Sequence, residues 1–283
     1  MSLKRQRGQE NAQIACTYTK SGVEAATSLS QEMIGLKSLN LDDEGVTMVM
    51  DEPVLAELKQ RTNLKAYSLT KATTSLLELI TRNNMSISAL RNAIKSNRLP
   101  SDEPFDNVLH ADVSFIEAVG LHFINLALSS RNPLHFQTLE RTTAVQTIEI
   151  ETFLTGKTKW DGVGFCPTMD KKIGVVLVEF SGGILWNKTK KKVDKDTKKI
   201  EKGVIDFIEY TSMNTGHFIR CHGLELHFEV IFLIDESYIK RTWAVLKFPT
   251  SPMEFKNFFN KMPKIFEWKQ SLIDSTTQLS SKF

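Results

Sequence analysis

The chain has 283 residues, of which 41% are hydrophobic and 24% charged, as is ordinary for a globular protein of one or two domains. Its formal net charge of +3 at pH 7 neither requires nor excludes a polyanionic partner. Three widely separated cysteines, Cys16, Cys166 and Cys221, argue against a disulfide framework, and the N-terminus lacks an apolar signal core. The aliphatic runs are far shorter than the roughly 20 residues that cross a bilayer. We therefore expect an intracellular protein that does not span a membrane, in either nucleus or cytoplasm.

The first hundred residues divide into two segments of different composition. Residues 1–45 are rich in Ser, Thr, Gln, Asn and Lys, and the pattern predicts a flexible segment. Residues 46–100 form a predicted helical segment, because apolar side chains recur every three or four positions from Glu52 to Ile94, enough for two or three short helices. The composition of Pro100–Asp106 is typical of a linker.

Residues 101–283 are predicted to form one α/β domain with its core at about 135–275. Dense apolar spacing from Val113 to Leu128 predicts a buried helix at its start. The nearly continuous apolar run Ile173–Phe180 is typical of a central strand that is covered on both faces. The remaining predicted elements are a helix over Glu140–Leu154, whose last third could be a strand; a strand over Trp160–Phe165 that forms a hairpin with Ile173–Phe180; a helix over Ile200–Met213; a strand over Phe218–Ile234; its antiparallel partner Ile239–Phe248; and a helix that begins at Ser251-Pro252.

Three acids in this domain have the order of a metal-dependent phosphodiesterase site: Glu140 on a helix, Asp161 at the start of one strand and Glu179 at the end of the next. Carboxylates that converge at a sheet edge can hold Mg²⁺, which polarises a phosphodiester and activates water. A hairpin can bring Asp161 and Glu179 to one end of the sheet. Structural roles remain open for all three: Asp161-Gly162 in a turn, Glu179 bonded to backbone amides, and Glu140 in the first turn of a helix.

The segments Trp160-Asp161-Gly162-Val163, Val178–Gly183 and Glu140-Arg141-Thr142 resemble the PD-(D/E)XK nuclease superfamily, and in particular nuclease-like proteins expanded in some fungi, including mucoralean ones. The resemblance implies a restriction-endonuclease-like mixed sheet flanked by helices, here with a helical N-terminal extension. It also implies that Glu140 is the helix acid and that Asp161 and Glu179 are the Mg²⁺ ligands.

The fourth position of the motif departs from this pattern. An active member would carry lysine two residues after the second acid, where this chain has Ser181. A serine hydroxyl is neutral and a poor base, so it cannot replace the ammonium unless Lys198, Lys199 or Lys202 reaches in from the next helix. The resemblance therefore implies a degenerate nuclease-like domain, with residual Mg²⁺-dependent phosphodiester hydrolysis left open.

A lysine cluster beside these acids places eight positive charges within fifteen residues, which suits binding of DNA or RNA through phosphate contacts and counterion release. A solvated helix face, tempered by Asp194, Asp196 and Glu201, would have the same composition. The cluster consists of Lys188, Lys190, Lys191, Lys192, Lys195, Lys198, Lys199 and Lys202.

A function of another class is also consistent with the sequence: a non-catalytic scaffold for protein interaction. In this interpretation the helical segment or an aromatic C-terminal helix recruits a protein partner, although such aromatic side chains could equally line a core. The aromatic residues concerned are Phe255, Phe258, Phe259, Phe266 and Trp268.

Overall fold

The computed structural model describes residues 38–82, 86–96, 104, 106, 110–129, 150–151, 158–165, 173–181, 189–249 and 252–282. Its helices are α1 (Glu44–Val49), α2 (Glu52–Arg61), α3 (Lys71–Thr81), α4 (Ile87–Ser96), α5 (Ala111–Ser129), α6 (Lys190–Thr211), α7 (Pro252–Asn260) and α8 (Met262–Ser280). Its strands are β1 (Ser38–Asn40), β2 (Ile150–Glu151), β3 (Lys159–Trp160), β4 (Gly162–Phe165), β5 (Gly174–Phe180), β6 (Thr215–His222), β7 (Glu225–Ile234) and β8 (Ser237–Lys247). Within this described part, every helix is too short or too polar to cross a lipid bilayer.

A mixed sheet organises the described residues, with six strands in the order β1-β8-β7-β6-β5-β4. Strands β5 and β6 run parallel and are connected through α6, whereas the β4–β5, β6–β7 and β7–β8 pairs are antiparallel. A separate two-stranded pair joins β2 to β3. The predicted α/β class, with a mixed sheet flanked by helices, is therefore confirmed.

Both faces of this sheet are covered. On one face, apolar side chains pack with those of α2–α5, α7 and α8, and on the other they pack with α6. Strand β5 contributes to both layers, because Val176 belongs to the first and Leu177 to the second, with 7% and 4% of their surfaces exposed. This alternation confirms the prediction that Ile173–Phe180 is covered on both sides.

The N-terminal part of the chain packs against the sheet. Ser38–Asn40, which lie within residues 1–45 that were expected to be flexible, form a parallel edge strand against β8, and Leu39 is completely buried. Residues 1–37 lie outside the described residues. In the predicted helical segment, Leu58 and Ile94 share one buried cluster with Phe258 of α7. These helices therefore share the core of the sheet.

Two predicted boundaries were wrong. The helix predicted from Ile200 begins at Lys190, because the side chain of Thr189 caps it and lysine is itself a good helix former. The strand predicted over Phe218–Ile234 is two strands, since Gly223, at a φ of 62°, takes the first position of a two-residue hairpin turn.

The hairpin and C-terminal predictions agree with the structure. Gly162 lies directly opposite Val178 in the predicted β4–β5 hairpin, and Tyr238 lies opposite Leu233 in the predicted β7–β8 pair. Helix α7 begins at Pro252 as predicted. The predicted helix over Glu140–Leu154 lies mostly outside the described residues. Ile150–Glu151, in its last third, form a strand, which was the stated alternative for that part.

Candidate functional site

Asp161 and Glu179 lie at the same end of the β4–β5 hairpin. Asp161 directly precedes β4, whose first residue pairs with Val178, and Glu179 is the next residue of β5. One carboxylate oxygen of Asp161, Oδ2, accepts a hydrogen bond of 2.7 Å from the backbone amide of Phe180. The hairpin therefore brings the two acids together as predicted, and Asp161 also fastens the two strands to each other.

Glu179 is bound by a lysine from helix α6. The Nζ atom of Lys199 donates to both carboxylate oxygens, Oε1 at 2.8 Å and Oε2 at 2.7 Å. The same ammonium lies 4.9 Å from the ring centroid of Trp160, a cation–π distance. Of the three lysines proposed to reach in from this helix, Lys199 does so, while Lys198 and Lys202 are exposed.

The environment of Glu179 favours its protonated form. Burial raises the pKa of Glu179 to about 7, and the carboxylates of Asp161 and Asp196 act in the same direction, while Lys199 opposes them. Asp196 is itself 8% exposed, and its Oδ2 has no hydrogen-bond partner among the described residues. Asp196 was not predicted as a site residue, because it reads as one of the acids that offset the lysine cluster.

Ser181, at the position of the missing lysine, is buried. Only 1% of its surface is exposed, and its amide donates to the carbonyl oxygen of Cys221 at 2.8 Å. Its Oγ has no partner within the described structure. Burial, together with Asp161, raises the pKa of the Cys221 thiol to about 11, so neither group is an activated nucleophile at neutral pH.

A network of buried charges continues from this site across the sheet. Arg220 lies beside Glu179 in the β5–β6 register, and its guanidinium donates through Nε and Nη2 to Glu229, which is fully buried. Lys240 donates to Glu201 of α6 at 2.7 Å. Arg220, Glu229 and Lys240 were missed by sequence reasoning, and Glu201 was considered only as an acid that offsets the lysine cluster. The signal that could have found the three strand residues is the presence of charged residues within strands that are otherwise mostly apolar.

Four lysines form a stripe along the exposed side of α6. Lys191, Lys195, Lys198 and Lys202 follow each other at steps of four, three and four residues, the spacing of one helix face, and all are exposed. We call this set the lysine stripe. It extends along about 16 Å of helix at 1.5 Å per residue. None of its members pairs with an acid among the described residues.

The remaining members of the predicted cluster have different environments. Lys190 is exposed and lines an open groove with three stripe lysines and Asp194, whereas Lys192 is half-buried. Lys188 lies outside the described residues, as does Glu140. Of the acids expected to temper the cluster, Asp196 and Glu201 are buried on the sheet side of α6, so only Asp194 remains beside the lysines.

The side chains in this arrangement do not fit a divalent metal. Both oxygens of Glu179 are held by Lys199, and Asp161 already accepts from a backbone amide. Across the described ranges, no group of three or more His, Cys, Asp or Glu side chains could hold a metal ion. We therefore derive no reaction step through Mg²⁺.

The aromatic residues considered for partner recruitment line the core. Phe255, Phe258, Phe259, Phe266 and Trp268 are each 1–4% exposed. They therefore offer no exposed surface to a partner in this conformation.

The chain was compared with models of protein families, with curated proteins and with solved structures, and none of these comparisons found a match.

Proposed function

We propose that this protein is a nuclease-like domain that binds the phosphate backbone of DNA or RNA through the lysine stripe of α6 and does not require catalytic turnover. The observation that carries the proposal is the separation of charge on this helix. The four stripe lysines, which form no ion pair with any described acid, occupy its exposed side with Asp194 alone beside them, whereas Asp196 and Glu201 are buried on the sheet side.

The lysine stripe has the chemistry and dimensions of a backbone contact. A duplex presents one negative charge per roughly 1.7 Å of its axis, so about 16 Å of helix spans several phosphates. Lysine ammoniums contact phosphates as point charges and carry no sequence information by themselves. We therefore expect salt-dependent binding with little sequence preference.

The relation to PD-(D/E)XK nucleases is part of the same proposal. Its support is the order β4, β5, α6, β6, with Asp161 just before the start of β4, Glu179 near the end of β5, and Lys199 supplied by the helix that follows. Ser181 provides no cation, and Lys199 forms an ion pair with the second acid. This arrangement favours a degenerate descendant over an active enzyme.

The proposal is tested by fluorescence anisotropy with labelled single-stranded RNA, single-stranded DNA and duplex DNA over a range of salt concentrations. In the test variant, Lys191, Lys195, Lys198 and Lys202 are all changed to Gln. We expect binding at least about tenfold weaker, and the slope of log K against log salt to fall by about 3 to 4 on duplex DNA. The result against the proposal would be a variant that binds as tightly as the native protein.

The matched control changes four exposed lysines in the N-terminal helical part of the chain to Gln and so alters the net charge equally. These residues are Lys59, Lys65, Lys71 and Lys95. We expect the control variant to bind nearly as well as the native protein. Equal loss in both variants would show that only overall charge matters, and the absence of binding by native protein would favour the scaffold for protein interaction.

Cleavage is measured in the same samples. We expect the native protein and an Asp161→Ala variant to leave the labelled strands equally intact in Mg²⁺ or Mn²⁺. Cleavage by the native protein that Asp161→Ala abolishes would contradict the absence of turnover and leave nucleic-acid binding in place.

A further inference from the structure

The ammonium of Lys199 lies where a cation would sit in an acidic site. It contacts both oxygens of Glu179 at 2.7 and 2.8 Å. Trp160, which is 1% exposed, lies against the ammonium with its ring centroid at 4.9 Å. The lysine is thus held between a carboxylate and an aromatic ring, as a bound cation would be.

No other described cation is available to neutralise these acids. Arg220 is next to Glu179 in the sheet register, but its guanidinium donates to Glu229 and to Thr197. The carboxylates of Asp161 and Asp196 both disfavour ionisation of Glu179. Removal of the lysine would therefore leave Glu179 to be neutralised either by a proton or by another cation.

A second, independent observation indicates free coordinating capacity at this place. The Oδ2 of Asp196 and the Oγ of Ser181 are both buried and have no hydrogen-bond partner in the described structure. Asp196 is more than nine-tenths buried, with 8% of its surface exposed. Oxygen atoms of this kind are the ligands that Mg²⁺ and Mn²⁺ prefer, usually one or two carboxylates supplemented by water.

We propose that the Lys199 ammonium takes the place of a divalent cation at Glu179, so that the native protein binds no metal there and removal of this amino group creates a Mn²⁺ or Mg²⁺ site. Glu179 would supply the first ligand and the unpartnered Oδ2 of Asp196 the second, with water completing the shell, because the described residues contain no group of three acids, histidines or cysteines that could hold a metal ion. The inference concerns metal binding alone and does not depend on whether the lysine stripe binds nucleic acid.

The test is a titration of the purified protein with Mn²⁺, followed by loss of the free-ion electron paramagnetic resonance signal. Lys199→Met removes the ammonium and keeps an unbranched side chain against Trp160. We expect saturable binding of one ion per chain with a Kd of about 1 mM or tighter, and a melting temperature that rises with added Mn²⁺. The native protein should show neither effect.

Three further variants test whether metal binding results from loss of the Lys199 ammonium beside Glu179. Lys198→Met changes an exposed neighbour of equal charge and should behave like the native protein. Lys199→Arg restores a cation and should also bind no metal. The double variant Lys199→Met with Glu179→Gln should lose the site that the single change creates.

Two results would overturn the proposal. One is saturable Mn²⁺ binding by the native protein that Glu179→Gln abolishes, a measurement that does not depend on how well any Lys199 variant folds. The other is a folded Lys199→Met or Lys199→Gln protein that binds no more Mn²⁺ than the native chain.

Discussion

The change Glu229→Gln tests how much the buried charge network contributes to stability. Glu229 is fully buried and accepts from Arg220 Nη2 at 2.8 Å and from Thr242 Oγ1 at 3.3 Å, while Lys240 Nζ lies 3.8 Å away. Burial alone would raise the pKa of Glu229, but Lys240 and Arg220 outweigh it and hold the pKa below its usual value. The carboxylate is thus the ionised centre of the network.

Glutamine keeps the size of the side chain but removes the negative charge between the buried Lys240 and the partly buried Arg220. Breaking a buried pair by removing one partner typically costs about 3–5 kcal/mol, because the remaining charges stay desolvated. Since a domain of ordinary stability unfolds with about 5–15 kcal/mol, we expect this one change to remove about a fifth or more of the free energy of unfolding.

The assay is urea unfolding followed by tryptophan fluorescence and circular dichroism. Trp268 reports on this place directly, because its indole Nε1 donates to the backbone oxygen of Glu229 at 3.1 Å. Glu225→Gln is the control, since its side chain is 45% exposed and its contact with His227 is 3.4 Å long, and we expect a cost below about 1 kcal/mol. The reasoning would be refuted if the free energy of unfolding of Glu229→Gln lay within about 1 kcal/mol of that of Glu225→Gln.

Two further predictions concern buried positions away from the charge network. His217 is 3% exposed and burial lowers its pKa to about 3, so between that value and its unfolded pKa near 6.5 the unfolded chain binds more protons and stability falls as pH falls. Between pH 7 and pH 5 we expect the native protein to lose about 2 kcal/mol more than His217→Gln in urea unfolding, and equal losses would contradict this assignment. In Gly203→Ala, the added Cβ would lie 2.6 Å from Trp160 Cη2. We expect a net destabilisation of about 1–3 kcal/mol in the same assay, despite the better helix propensity of alanine. The control is the exposed helical Gly45→Ala, whose Cβ would lie 3.2 Å from Oδ1 of Asp43, and there we expect a change below about 1 kcal/mol.

The parts of the fold that the sequence predicted are those with a local cause. The turn composition at Pro167–Asp170 predicted the β4–β5 hairpin, and Ser251-Pro252 predicted the start of α7. Nearly the first three turns of α6 were missed because apolar periodicity begins only at Ile200. The break at Gly223 was missed because a single glycine in a long β-rich run is a weak turn signal.

The choice of Lys199 among three lysines could have been predicted from helix geometry. At 100° per residue, Lys198 and Lys202 each lie about 160° from the buried Ile200, whereas Lys199 lies about 100° from it. Only Lys199 therefore borders the face that packs on the sheet. The Glu229 network could not be predicted in this way, because it depends on the register of three strands, two of which had been merged into one.

The two sides of α6 have separate physical consequences. On the sheet side, the charges of Lys199 and Glu201 are matched by Glu179 and Lys240, so they bear on the stability of the fold and leave little net field. On the outer side, the lysine stripe forms no ion pair with an acid among the described residues. Its positive charges therefore contribute little to the stability of the fold. Because Asp196 and Glu201 are buried by folding, the outer side of the lysine-rich first half of α6 is more basic than the amino-acid composition of that half indicates. The near-neutral charge of the whole chain is therefore no argument against a polyanionic partner at this helix.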